Sequence, residues 1–299
     1  MADIIISNLT KTYANGKQAL KDVSLTIAAG DFFALLGPNG AGKTTIIGIL
    51  TGLVNKSSGT IKIGECDLDR DHNQIKRLIG VVPQEFNFSI FEKVFDIVVW
   101  QAGYFGVPRK VAEERAEVIL KRLELWDKKD QPARALSGGM KRRLMIARAL
   151  IHQPKFLMLD EPTAGVDVEL RRGMWDYLRE LNAQGTTILL TTHYLEEAEE
   201  LCKNIAIIKQ GEIVKNDSVK NVLASLDVHT LILTTSQLPK EVLISFTARR
   251  IDDTTLEVDL SAKDTVTDLV EQLKKEKIEV KDIRAKSNRL ESVFLNILK

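Results

Sequence analysis

Three glycines, one lysine and two threonines crowd into nine residues, GPNGAGKTT, at positions 37–45. The stretch fits G-x-x-x-x-G-K-[ST], with Gly37, Gly42, Lys43 and Thr44 at the fixed places. Pro38, Asn39, Gly40 and Ala41 fill the interval, and Thr45 follows. Glycines allow a tight turn whose N–H groups face phosphate oxygens. A helix opening at Lys43 adds its positive N-terminal end. A lysine here reaches β- and γ-phosphates, and the Thr44 hydroxyl suits Mg²⁺.

A second cluster is acidic. FLMLDE places Asp160 at the end of an apolar run and Glu161 next to it. Successive strand residues point oppositely, but at a strand end both can project toward the phosphates. Asp160 suits Mg²⁺, directly or through water. Glu161 suits polarising an attacking water, as a general base or a positioning group. A third cluster, LSGGMKRR at 136–143, opens a helix. Ser137 can cap it, and Gly138 and Gly139 leave N–H groups at its positive end. That is a second anion site. One chain with one phosphate cradle does not need two triphosphate sites, whereas a dimer does.

These clusters need elements to aim them. DIIISN, ALKDVSLTI and DFFALLG predict strands broken by ANGK and AAG, and TTIIGILTGL predicts a helix after Lys43. TIKI and IGVVPQ read as short strands. Residues from about 86 to 152 have helical periodicity, with Pro108 opening one helix. PKFLMLDEP and GTTILLTTH are nearly continuous apolar runs, the pattern of parallel strands buried on both faces. Between them VELRRGMWDYLRELNAQG predicts a helix ending at Gly185, and IAIIKQGEIVKN predicts a hairpin at Gln210-Gly211. Beyond residue 222 the texture changes to a small β/α appendage.

The bulk composition bounds the answer. The chain has 299 residues, 44% apolar and 28% charged, enough for one large core and a smaller domain. A net charge of +1 gives no general attraction to nucleic acid, and no nucleic-acid partner is expected. Cys66 and Cys202 read as reduced thiols, and His72, His152, His193 and His229 show no metal-ligand spacing. No apolar run reaches the roughly eighteen residues of a membrane span. The start, MADIIISNLTKTY, reads as a strand and not as a signal peptide.

Taken in order, the motifs resemble those of the ABC (ATP-binding cassette) ATPases over residues 1 to about 220. In the family's terms Gly37 to Thr45 is the Walker A loop, and Tyr13 looks like the aromatic that stacks on adenine. Gln84 in VVPQ is the Q-loop glutamine, and Ser137, Gly138 and Gly139 are the signature. Asp160 and Glu161 end Walker B, Asp167 closes the D-loop in AGVD, and His193 is the switch histidine. Two departures stand out: Met140 replaces the commonest glutamine, and AGVD replaces Ser-Ala-Leu-Asp. Neither removes a group that phosphate chemistry needs.

The resemblance implies a P-loop NTPase cassette over 1–222: a RecA-like, mostly parallel α/β core sheet, an N-terminal antiparallel β subdomain and a helical subdomain at about 86–152. An α+β extension at 223–299 follows, with an implied role in dimerisation or regulation. The implied cofactors are ATP and Mg²⁺, the latter held by Thr44, Asp160 and Gln84. Lys43, Glu161, His193 and Gln84 carry catalysis. Two cassettes sandwich two ATP molecules head to tail, each between Lys43 of one chain and Ser137 of the other, and closure on ATP does the work.

Three uses of that motion stay open: the ATPase subunit of a membrane exporter, a soluble cassette acting on ribosome or DNA, and a cassette of a lipid- or cofactor-handling membrane complex. The first leads. Ribosome-acting relatives usually carry two cassettes in one chain, and DNA-repair relatives have a long coiled-coil insert. VVPQEFNF, QAGYFGV, LSGGMKRR and the closing LESVFLNIL resemble the ABC-2-type exporter ATPases. This implies a separately encoded ABC-2-type permease and a peripheral place on the cytoplasmic side of the cell membrane. Phe86, Phe88, Phe91 and Phe95 either form a docking groove for that partner or the insert's own core.

Overall fold

The computed structural model describes residues 3–163, 168–192, 194–224, 228–236, 246–261, 264–275, 278–285, 290 and 293–294. The chain divides into two compact units, Met1–Val219 and Lys220–Lys299.

The first unit carries two sheets. One is antiparallel in the order β2-β1-β4-β5, from β1 Ile4–Thr12, β2 Gln18–Ile27, β4 Ser58–Ile63 and β5 Cys66–Asp67. Ile4, Ile6 and Leu9 of β1 turn into the core while Ile5 stays exposed, the alternation of a sheet wetted on one face. The other sheet runs β10-β9-β3-β8-β7-β6. Its parallel members are β3 Phe32–Leu36, β6 Ile79–Val82, β7 Phe156–Asp160, β8 Thr187–Thr192 and β9 Asn204–Lys209. β10 Glu212–Ser218 joins antiparallel through a turn with Gln210 and Gly211 both at positive φ. Every residue of β3, β7 and β8 is buried, as strands covered on both faces require.

Helices connect these strands. α1 Lys43–Leu50 follows β3 and stops where Gly52 takes a φ of 74°, short of the apolar stretch that continues to Leu53. α2 His72–Leu78 precedes β6, α6 Val168–Ala183 lies between β7 and β8, and α7 Leu195–Leu201 lies between β8 and β9. Neither seven-residue helix was expected from the sequence. Two turns rarely hold alone, and Ile75 of α2 and Ala198 and Leu201 of α7 are held by burial instead.

Between β6 and β7 come α3 Val94–Tyr104, α4 Arg109–Arg122 and α5 Gly138–Leu150. Pro108 is the residue just before α4, where its fixed φ costs no hydrogen bond. α5 is the pivot of this insert. Nine of its residues are buried, including Arg142 and Arg143. One guanidinium nitrogen of Arg143 donates to Leu123 O at 2.8 Å and to Glu124 Oε2 at 2.7 Å, which ties α5 to the end of α4.

The second unit starts in α8 Val219–Ala224 and holds an antiparallel sheet in the order β12-β13-β11-β14. Its strands are β11 Val228–Thr235, β12 Thr247–Arg250, β13 Thr255–Ser261 and β14 Val280–Ala285. α9 Val266–Lys275 lays Leu269 and Leu273 on a core that includes Leu233, Val258 and Leu260. This is the α+β appendage expected from the sequence. The closing LESVFLNIL lies mostly outside the described residues.

Candidate functional site

Pairing register brings the carboxyl ends of β3, β8 and β7 level: Leu35 faces Thr191, and Thr191 faces Asp160. Ligands of open parallel sheets lie at such ends. The glycine loop leaves β3 there. Two of its glycines are required by contact. A Cβ on Gly37 would stand 2.4 Å from Ile208 O. A Cβ on Gly42, whose φ is 117°, would stand 2.7 Å from Leu20 Cδ2 and 2.9 Å from Ala19 O. The loop is therefore clamped between β2 and β9, with Pro38, Asn39 and Gly40 exposed and Ala41 buried. α1 has no acidic residue in its first turn, so its positive end is uncompensated from within. A clamped, glycine-lined loop at a bare helix N-terminus is the shape that a polyphosphate fills.

Lys43 is buried and its ammonium donates to Gly37 O at 2.5 Å and Pro38 O at 3.1 Å. Burial lowers its pKa, and the nearby Glu161 and Asp160 carboxylates oppose that shift. Thr45 Oγ1 shares a 3.3 Å hydrogen bond with the Tyr13 hydroxyl, so the half-exposed Tyr13 ring stands beside the loop. The Lys11 ammonium lies 4.9 Å from that ring's centroid.

Asp160 ends β7 and is buried. Burial raises its pKa, and hydrogen bonds donated by the Thr191 and Thr44 hydroxyls partly counter the rise. The Thr44 contact sets a hydroxyl oxygen beside a carboxylate. Both are hard donors, the type that suits Mg²⁺, and the Gln84 amide oxygen is of the same type. Glu161 takes a φ of 50°, a left-handed backbone that costs a non-glycine residue about 1–2 kcal/mol. Its N–H donates to Thr191 O at 2.9 Å, which holds the turn. The turn breaks strand alternation, so Asp160 and Glu161 both act on Lys43 instead of facing apart. Gln84 Nε2 donates to Glu161 Oε2 at 3.2 Å. Lys43, Thr44, Asp160, Glu161 and Gln84 thus converge.

The signature begins α5. Ser137 is the N-cap, and its hydroxyl accepts from the Met140 N–H at 3.3 Å. Ser137 and Gly138 are exposed, and Gly139 is buried. Asp167 and His193 lie outside the described residues.

Two functional candidates were missed in the sequence. Arg142 donates from one guanidinium nitrogen to Pro83 O at 2.9 Å and from the other to Gln84 O at 2.8 Å. Glu197 is fully buried and accepts from Thr163, from Trp175 Nε1 at 3.2 Å and from Thr192 at 2.5 Å. It braces the residues immediately before positions 164 and 193. Its one legible signal is an acid on the Ala198–Leu201 face of α7, where the pattern calls for an apolar residue. The aromatic stretch divides. Phe86 and Phe91 are exposed, whereas Phe95 packs edge-on against Trp126 with centroids 6.1 Å apart.

This arrangement defines a nucleotide-hydrolysing cassette, and comparison with known proteins agrees. The ABC transporter family model matches residues 20–164. Linearmycin resistance ATP-binding protein LnrL of Bacillus subtilis is 33% identical over 97% of this chain and 96% of its own length. Nod factor export ATP-binding protein I of Burkholderia lata is 40% identical over 71% of this chain and 69% of its own. A dimeric structure of the ATP-binding cassette MJ0796, in a post-hydrolysis state with ADP and Pi, superposes with a TM-score of 0.67 at 30% identity. It covers 72% of this chain and 98% of that one. The chain belongs to the ABC transporter family, as an ATP-binding and ATP-hydrolysing cassette.

Proposed function

We propose that two copies of this chain close head to tail over two ATP molecules and drive a separate ABC-2-type membrane permease, so that the chain is the ATPase subunit of an exporter. The reading of the chemistry rests on one observation: a lysine, a threonine, two carboxylates and a glutamine far apart in sequence converge at the carboxyl ends of β3 and β7. Lys43 releases the loop carbonyls and binds the β- and γ-phosphates. Thr44, Asp160 and Gln84 hold Mg²⁺, which neutralises phosphate charge when bound. Glu161, kept in place by Gln84, orients a water against the γ-phosphorus and takes its proton as the bond to the bridging oxygen breaks. ADP and phosphate leave. His193 contacts the γ-phosphate, and Asp167 works at the dimer boundary. Tyr13 stacks on the adenine. Ser137, Gly138 and Gly139 meet the nucleotide of the other chain.

The permease docks in a groove of about 570 Å³ lined by residues that include Leu53, Tyr104, Phe105, Arg148 and His152. Leu53 and Tyr104 are 83% and 85% exposed, an apolar display that a lone cassette has no use for. No helix among the described residues is long and apolar enough to cross a membrane, so on this reading attachment at the cytoplasmic face runs through the partner. The test is purification of the tagged chain from detergent-solubilised native membranes, with mass spectrometry of what accompanies it. The expected result is a stoichiometric polytopic membrane protein, lost on Tyr104→Glu while ATPase activity is kept. Ribosomes, DNA or no partner would overturn the exporter reading.

A further inference from the structure

α5 carries two adjacent buried arginines that do different things. Arg143 turns to the insert and braces α4 through Leu123 and Glu124. Arg142, 5% exposed, turns the other way, onto the strand exit after β6. Its two terminal nitrogens take the consecutive carbonyls of Pro83 and Gln84, at 2.9 and 2.8 Å. The Phe86 ring centroid lies 5.1 Å from its guanidinium carbon. A planar guanidinium gives each of two neighbouring carbonyls its own donor in a rigid fork, whereas a lysine ammonium is a rotatable point donor that does not fix their orientation. Burial depresses the Arg142 pKa, and the Glu161 and Asp160 carboxylates work against that shift. The cation therefore lies within the field of the same acids that the loop residue Gln84 serves.

We infer that Arg142 is the positioning residue for Gln84. The fork fixes the backbone at Pro83 and Gln84, and this aims the Gln84 amide at Glu161, 3.2 Å away. Arg142 also sits on the helix whose first turn is the signature. A shift of α5 on contact with a second chain's nucleotide therefore moves the backbone of Gln84 with it. Arg142 couples the state of the signature end to the carboxylate that handles water, inside one chain. It makes no contact with the reacting atoms. This rests on the role of Gln84 proposed above.

The test is a cycle of steady-state ATPase assays on the full chain: Arg142→Gln, Gln84→Ala and the double variant. Arg142→Gln is expected to lower kcat roughly tenfold with KM for ATP within about threefold of the parent, and Arg142→Lys does not restore it. In the Gln84→Ala background the same change costs less than about twofold more. Arg143→Gln serves as the contrast: it lowers the melting temperature, and its effect on kcat is the same in both backgrounds. A loss of equal size for Arg142→Gln in both backgrounds, or an unchanged kcat, overturns the inference. If Arg142→Gln fails to fold, the cycle is run with Arg142→Lys under the same criterion. Parental turnover in Gln84→Ala alone would remove the role of Gln84, and this inference with it.

Discussion

Two helices of this chain start at glycines, α1 with no side-chain cap and α5 with Ser137 as its cap, and their surroundings differ. At α1 the loop is clamped by backbone on two sides, and a lysine, a threonine and two acids stand around it. At α5 a Cβ on Gly138 would meet nothing within 4 Å, Ser137 is exposed, and its hydroxyl accepts from its own helix. A complete phosphate site needs charge neutralisation as well as amide dipoles. The first start has both within one chain. The second presents its dipole and the Ser137 hydroxyl at an open surface. The difference supports the reading in which another copy supplies the nucleotide that the second start meets.

The comparison can be broken in solution. Glu161→Gln leaves the first site's other groups in place and removes the proposed proton acceptor. Turnover is expected to fall by about 10²–10⁴-fold while nucleotide affinity stays near parental, read by phosphate release and equilibrium binding. A variant that still hydrolyses briskly would remove Glu161 from its role. A smaller but more pointed effect comes from mixing. Lys43→Ala and Ser137→Arg chains are each inactive alone, and a mixture recovers turnover, because the heterodimer keeps one composite site with parental Lys43 and Ser137. Failure to recover would place both residues on the same chain's nucleotide.

Asp160 tests the electrostatics of the first start. Burial raises its pKa in the fold above the unfolded value, so the fold binds that proton more tightly. The stability this contributes is present in full below the unfolded pKa and is lost as pH rises through the raised folded one. Nucleotide-free Asp160→Asn protein should therefore melt above the parent at neutral pH, with the gap closing on acidification through that window. Mg²⁺-dependent turnover is lost in the same variant. The smallest effect belongs to the second start. Ser137→Ala removes the cap of α5 and costs about 1 kcal/mol of stability by denaturant unfolding, with ATP affinity of the isolated chain unchanged.

The residues proposed to handle phosphate were legible because their evidence is local. The glycine loop declares itself in nine consecutive residues, and Ser137 in the four that open its helix. The continuous apolar runs of β3, β7 and β8 mark buried parallel strands wherever they end up in the sheet. The clamped insertion of Gly37 and Gly42, by contrast, depends on tertiary contact with β2, which precedes the loop, and with β9, which arrives from far along the chain.

By itself, then, the sequence determined which residues could hold phosphate and which segments had to be strands, since both follow from side-chain type and periodicity over a few positions. Only the tertiary structure decided that Gln84 meets Glu161 across 77 residues of sequence, that Arg142 grips the Q-loop backbone while Arg143 braces α4, and that Glu197 is a buried acceptor for three donors. A basic run or an acid on a short helix reads the same whether solvated or buried. The neighbours that remove its water, and so fix its partners, belong to other elements.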